Sequence, residues 1–161
     1  MKVFLSLMVA VMVMASAGRV NAGLFDNPMI GKKAPDFKLA LHKGGEASLE
    51  DLRKGGKAVI FFWATWCPHC REQLKVISQE KAKMEKLGAA VILVDIGEDK
   101  DKIQKFLAAK GLDFDVLMDT NGDVSEMYQV VGIPTIVFVG VDGVIGYSDN
   151  GFPEDYQELL K

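Results

Sequence analysis

Cysteine is scarce in this 161-residue chain: there are two, Cys67 and Cys70, and no others. Two thiols close one bridge, and a bridge spanning two residues restrains little of the unfolded chain, so a disulfide-stapled scaffold is excluded. Positive charge is also scarce, with 19 Lys and Arg against 22 Asp and Glu. A phosphate backbone attracts the opposite balance, and no nucleic-acid partner is expected. No apolar run reaches the roughly 20 residues of a membrane-spanning helix. The sequence has no internal repeat and no low-complexity tract. What remains is one ordinary globular domain, 49% apolar, with enough chain to bury a core.

Residues 1–22, "MKVFLSLMVAVMVMASAGRVNA", combine a basic start at Lys2, an apolar run from Val3 to Ala17 and small residues before Gly23. That is the layout of a secretory signal peptide, with Val20-Asn21-Ala22 as the cleavage signal and Ala22 as the last residue removed. The alternative is an uncleaved anchor, since the run is nearly long enough and Arg19 follows it. Residues 23–161 form the domain, and losing Lys2 and Arg19 leaves 17 basic against 22 acidic residues. Export implies an oxidising compartment, periplasmic or otherwise extracytoplasmic, where thiols become structural bridges, cycle as catalytic ones or bind metal.

Along the domain, "KAVIFFWA" (57–64) is an apolar run of strand length and β-branched or aromatic content, which predicts a strand buried on both faces. Leu74, Ile77, Met84 and Leu87 then share one helical face until Gly88. "AAVILVDI" (89–96) predicts a second buried strand, and Ile103, Phe106 and Leu107 a helix ending near Gly111. This rhythm predicts a parallel β-α-β core. "GIPTIVFVG" and "GVIGYS" flank Asp142-Gly143 as a hairpin, and a last helix starts near Glu154. In the lead-in, a short strand is expected near Phe37 to Leu41, a turn at Gly44-Gly45, and a helical turn capped by Ser48 with Asp51. The class is α/β with a mixed sheet flanked by helices and an N-terminal extension. His42 reads as a solvated loop residue, Trp63 as core, and the run Glu98 to Lys102 as a helix start with a solvated charged face.

Cys67 falls where the first buried strand ends and a helix begins, with Pro68 in the first turn where proline is tolerated. The unpaired N–H groups of that helix start favour a thiolate on Cys67, and a protonated His69 adds a second cation. Cys70, one turn in, is placed to attack a mixed disulfide on Cys67. The expectation is therefore an exposed nucleophile, Cys67, and a shielded resolving thiol, Cys70.

Strand, W-C-x-x-C, helix, strand, helix and then Ile133-Pro134-Thr135 before a hairpin resemble the thioredoxin fold. Gly31, Ala34-Pro35-Asp36-Phe37, Ser48-Leu49, Asp51-Leu52 and Phe62-Trp63-Ala64-Thr65-Trp66-Cys67 resemble the exported TlpA/ResA-like thiol-disulfide oxidoreductases. The resemblance implies a protein disulfide reductase that needs no cofactor beyond the Cys67–Cys70 disulfide. It also implies a cis Pro134 facing the cysteines and a docking strip at Ile133. Trp66, by its place next to Cys67, is either a lid on the site where substrate binds or simple packing. The implied partners are cysteine-containing exported proteins, apocytochrome c among them, and a membrane dithiol donor or acceptor. In this family and in thioredoxin an acid six residues after or before the first cysteine serves the resolving thiol; Gln73 and Phe61 stand there instead. Glu72 points about 100° away along the helix, which leaves water or a substrate group for that step.

The Cys-Pro-His-Cys interior resembles DsbA, so a dithiol oxidase is the alternative within this chemistry. From another class, a copper or zinc metallochaperone would use Cys67, His69, Cys70 and the distant His42, without a convincing fourth ligand. Haem attachment would need histidine where Arg71 stands, and the P-x-x-x-[ST]-x-x-C pattern of peroxiredoxins is absent upstream of Cys67.

Overall fold

The computed structural model describes residues 27–161, so the signal-peptide reading of residues 1–22 and its cleavage point lie outside the described residues. Seven strands form one mixed sheet in the order β2-β1-β5-β4-β3-β6-β7. Its centre is β3 (Lys57–Trp63), of which every residue after Lys57 is buried. β3 pairs in parallel with β4 (Ala89–Ile96), and β4 with β5 (Val116–Asp119). On its other side β3 pairs antiparallel with β6 (Thr135–Val139), which turns back into β7 (Ile145–Asp149).

Alternation along β3 divides the interior in two. Val59, Phe61 and Trp63 face one core with Cys67, Cys70 and Leu74; Ala58, Ile60 and Phe62 face the other with Leu49, Val124 and Tyr128. The first core is covered by α2 (Pro68–Lys86), α3 (Lys100–Lys110) and α5 (Tyr156–Leu159). The second is covered by α1 (Leu49–Arg53) and α4 (Asp123–Met127). Ser48 caps α1 in a reciprocal arrangement with Asp51, and α3 stops at Gly111 in the left-handed conformation, φ 63°.

The strand expected near Phe37 to Leu41 is present as β1 (Lys38–Leu41), whereas β2 (Glu46–Ser48), β5 and α4 were not foreseen. β1 forms a hairpin with β2 and pairs with β5, so the lead-in extends the sheet. β5 and α4 are four and five residues long, below the length at which periodicity speaks. Leu87 is not on the buried face of α2: it is the C-cap residue and 36% exposed. The last helix begins at Tyr156, two residues after Glu154. Residues 31–34 lie against the start of β7, with a bridge between Lys33 and Val144.

His42 is the clearest correction, being 5% exposed rather than solvated. Its backbone N–H donates to the Val116 carbonyl at 3.0 Å and its Nδ1 accepts the Val116 N–H at 3.1 Å. The imidazole thus supplies an acceptor that continues the β1–β5 ladder beyond its last paired residue. His42→Leu should strand the Val116 N–H and cost about 1–3 kcal/mol in urea unfolding, and His42→Asn should recover part of that loss.

Candidate active site

β3 ends at Trp63 and α2 starts at Pro68, so Ala64, Thr65, Trp66 and Cys67 make the turn between them. Cys67 is the N-cap of α2, and its Sγ accepts the Cys70 backbone N–H at 3.1 Å. A sulfur in that position meets the positive end of a 19-residue helix, which favours negative charge on it once the disulfide opens. Cys67 and Cys70 are joined as a disulfide with Cα atoms 5.2 Å apart.

The expected exposed nucleophile is not exposed in this oxidised state: Cys67 is 4% and Cys70 0% accessible. The disulfide belongs to the core under α2, and the Ile133 carbonyl oxygen stands 3.8 Å from Cys67 Sγ, covering one approach. Cys67 remains the outer of the two. Trp66 does not pack in the core; it stands 66% exposed, while Trp63 is wholly buried. Pro68 occupies the first turn of α2. His69 points outward with its side chain 83% exposed, and its Nδ1 lies 3.5 Å from Glu72 Oε2, so any charge on it is shared with Glu72 and screened by water. The Ile133-Pro134 peptide is cis. The loop around it is held by the Thr135 hydroxyl donating to Gly132 O and by Asn150 Nδ2 donating to Pro134 O, both at 2.6 Å.

None of the three positions weighed for Cys70's proton is equipped to take it. Phe61 is stacked on Trp63 in the core. Gln73 Oε1 accepts the Phe152 N–H at 2.9 Å, which ties it to the segment before α5. Glu72 is on the surface with His69.

Two acids behind the motif were missed. Glu98 is buried, not part of a solvated face: its carboxylate accepts the Thr65 N–H at 2.6 Å and the Thr65 hydroxyl at 2.9 Å. It therefore grips the turn that carries Cys67, while Asp99 caps α3 by accepting the Lys102 N–H. Asp95 is wholly buried, and neither carboxyl oxygen has a hydrogen-bond partner. Burial, and then the nearby negative charge of Glu98, push its pKa up to about 8. The signal was an aspartate inside "AAVILVDI" on the same side as Val91 and Leu93, where a buried strand should be apolar. Among the described residues no three His, Cys, Asp or Glu side chains gather as a metal site, and His42 is engaged in the β1–β5 ladder.

The Asp95 shift has a pH signature. Between about pH 4 and pH 8 the unfolded chain has lost this proton while the folded chain keeps it, so the stability it contributes falls as pH rises through that window. Asp95→Asn should remove that slope, narrowing the stability difference between pH 5 and pH 8 by on the order of 3 kcal/mol in urea titrations.

The AhpC/TSA family model matches residues 30–148. The chain is 29% identical over 136 residues to the thiol-disulfide oxidoreductase ResA of Bacillus subtilis, covering 81% of this chain and 75% of that one. It is 33% identical over 117 residues to the thioredoxin-like protein YneN of the same organism, covering 71% and 68%. Among solved structures, a protein described as the thiol:disulfide interchange protein DsbE of Chlorobium tepidum superposes with a TM-score of 0.70 at 32% identity, covering 81% of this chain and 92% of that one.

Proposed function

This chain belongs to the AhpC/TSA family and is a thiol-disulfide oxidoreductase, and we propose that it runs as a TlpA/ResA-like protein disulfide reductase in an extracytoplasmic compartment. The observation that carries the reading is the disulfide at the N-terminus of α2, directly after a buried strand and against the Ile133-Pro134 loop. In the reduced protein the Cys67 thiolate attacks a substrate disulfide, and one substrate sulfur leaves. Cys70 then attacks Cys67 Sγ, the mixed disulfide breaks, and the second substrate sulfur leaves as the Cys67–Cys70 bond re-forms. An external dithiol restores the reduced state. Ile133 and Pro134 serve as the docking strip for the extended substrate segment, with the exposed Trp66 beside it.

Substrates in this reading are cysteine-containing exported proteins, with apocytochrome c thiols as one instance, and the electron donor is a membrane dithiol protein. The name of the family does not bring peroxidase chemistry with it. The peroxidatic pattern needs proline and Ser or Thr seven and three residues before the cysteine, and Ile60 and Ala64 stand there. A DsbA-like oxidase is not favoured: the named relatives are ResA and DsbE, and α2, β4, α3, β5 and α4 account for the chain between Cys70 and Pro134 without a helical insertion.

Cys67→Ala should abolish reduction of a disulfide-bonded protein substrate, and Cys70→Ala should accumulate the mixed disulfide on non-reducing gels. Full exchange by Cys67→Ala would overturn the assignment. Equilibration in glutathione buffers should give a reduction potential nearer thioredoxin, roughly −270 mV, than DsbA, about −120 mV. Stoichiometric metal retained on the purified protein without reductase activity would favour a metallochaperone instead.

A further inference from the structure

Resolution needs Cys70 to lose a proton, since the thiolate is the attacking species, yet Cys70 is wholly buried and Phe61, Gln73 and Glu72 do not serve it. One buried acid remains unused. Asp95 sits at the same end of the sheet as the cysteines, opposite Trp63 on β3 and Met118 on β5, and both neighbours face the core that holds Cys67 and Cys70. Both Asp95 oxygens lack a partner, and so does the buried Trp63 Nε1 beside it. Burying a carboxyl with no partner in hydrogen-bond geometry is costly, and the polar group that bears on it is Glu98, which favours its protonated form. Glu98, whose charge bears on Asp95, holds Thr65 two residues before Cys67.

Resting on the oxidoreductase reading, we propose that Asp95 is the acid–base group of the cycle, giving a proton to Cys70 when the disulfide opens and taking it back when the mixed disulfide resolves. In the recharging step the donor thiolate bonds to Cys67 Sγ. The Cys67–Cys70 bond breaks with its electron pair on Cys70, and the Asp95 proton moves to that sulfur, leaving a carboxylate. The donor's second thiolate then displaces Cys67 as a thiolate, and the donor departs oxidised. In the resolving step the carboxylate removes the Cys70 proton, Cys70 bonds to Cys67 Sγ, and the electron pair of the broken mixed disulfide leaves on the substrate sulfur. Two electrons pass from donor dithiol to substrate disulfide, and Asp95 ends the cycle protonated.

The surroundings suit this role. Burial and Glu98 raise the Asp95 pKa to about 8, with Lys102 of α3 opposing, so at neutral pH the group holds a proton that it can give to the departing sulfur. The charges that act on it are Glu98 and Lys102, and its neighbours in register, Trp63 on β3 and Met118 on β5, carry none.

The test is stopped-flow reduction of the oxidised full chain by dithiothreitol from pH 6 to pH 10, followed by tryptophan fluorescence and divided by the dithiothreitol thiolate concentration. The oxidised protein has no free thiol, so a break in the corrected rate belongs to another group. The protonated acid is the active form, so the wild-type rate should be level below about pH 8 and fall up to tenfold per pH unit above it. Asp95→Asn and Asp95→Ser should be about 100-fold slower at pH 7 and show no break. A folded variant that keeps the wild-type rate and break overturns the proposal. So does a wild-type profile without the fall, which decides the matter even if neither variant folds. Failure of the wild-type disulfide to react at all would instead sink the oxidoreductase reading.

Discussion

A strand buried on both faces can deliver its chain to the surface only at its ends, and this site depends on where β3 ends. Every residue of β3 after Lys57 is committed to one of two cores, so the backbone cannot slide by one position without exchanging the two sets of side chains. That register fixes Trp63 as the last core residue and sets Cys67 four residues later at the mouth of α2. Glu98 then fixes the turn from beneath through Thr65. The active-site sulfur is thus located by hydrophobic packing first and by two hydrogen bonds second.

The parts of this arrangement that were legible beforehand are those written in long patterns. β3 and β4 carry six or more apolar residues in unbroken runs, Leu74, Ile77 and Met84 of α2 recur at helical spacing, and the Asp142-Gly143 turn announced the β6–β7 hairpin. The cysteine spacing announced the chemistry. Elements of three to five residues, β2, β5 and α4, were hidden because their pairing partners are distant in sequence and too few side chains alternate. His42, Glu98 and Asp95 were misread or overlooked for a shared reason: each is a polar residue whose burial is decided by what lies across the sheet or loop, at Val116, Thr65 and Trp63. A one-dimensional pattern assigns polar residues to water unless a partner is visible.

The electrostatics of the site pull in two directions. The helix start stabilises a thiolate on Cys67, whereas the buried Glu98 carboxylate, held under the turn by Thr65, opposes further negative charge nearby. His69, expected from the sequence to add a cation beside the thiolate, is turned to water and lies against Glu72. A disulfide whose reduced form gains less from charge stabilisation holds its electrons less tightly, which is the behaviour required of a reductant. The inner face of the sheet, more than the two residues between the cysteines, therefore has the means to set the direction of electron flow.

The covering of β7 by the lead-in has a consequence of its own. Gly31 donates to the Ile145 carbonyl, Ile145 donates to Lys32, and Ala34 donates to Gly143, at 2.8 to 2.9 Å. β7 is the outermost strand on its side of the sheet, and an uncovered outer strand is a template on which any extended chain can build. By occupying both ladder groups of Ile145 with its own backbone, the chain closes the start of that strand to pairing with any other extended chain.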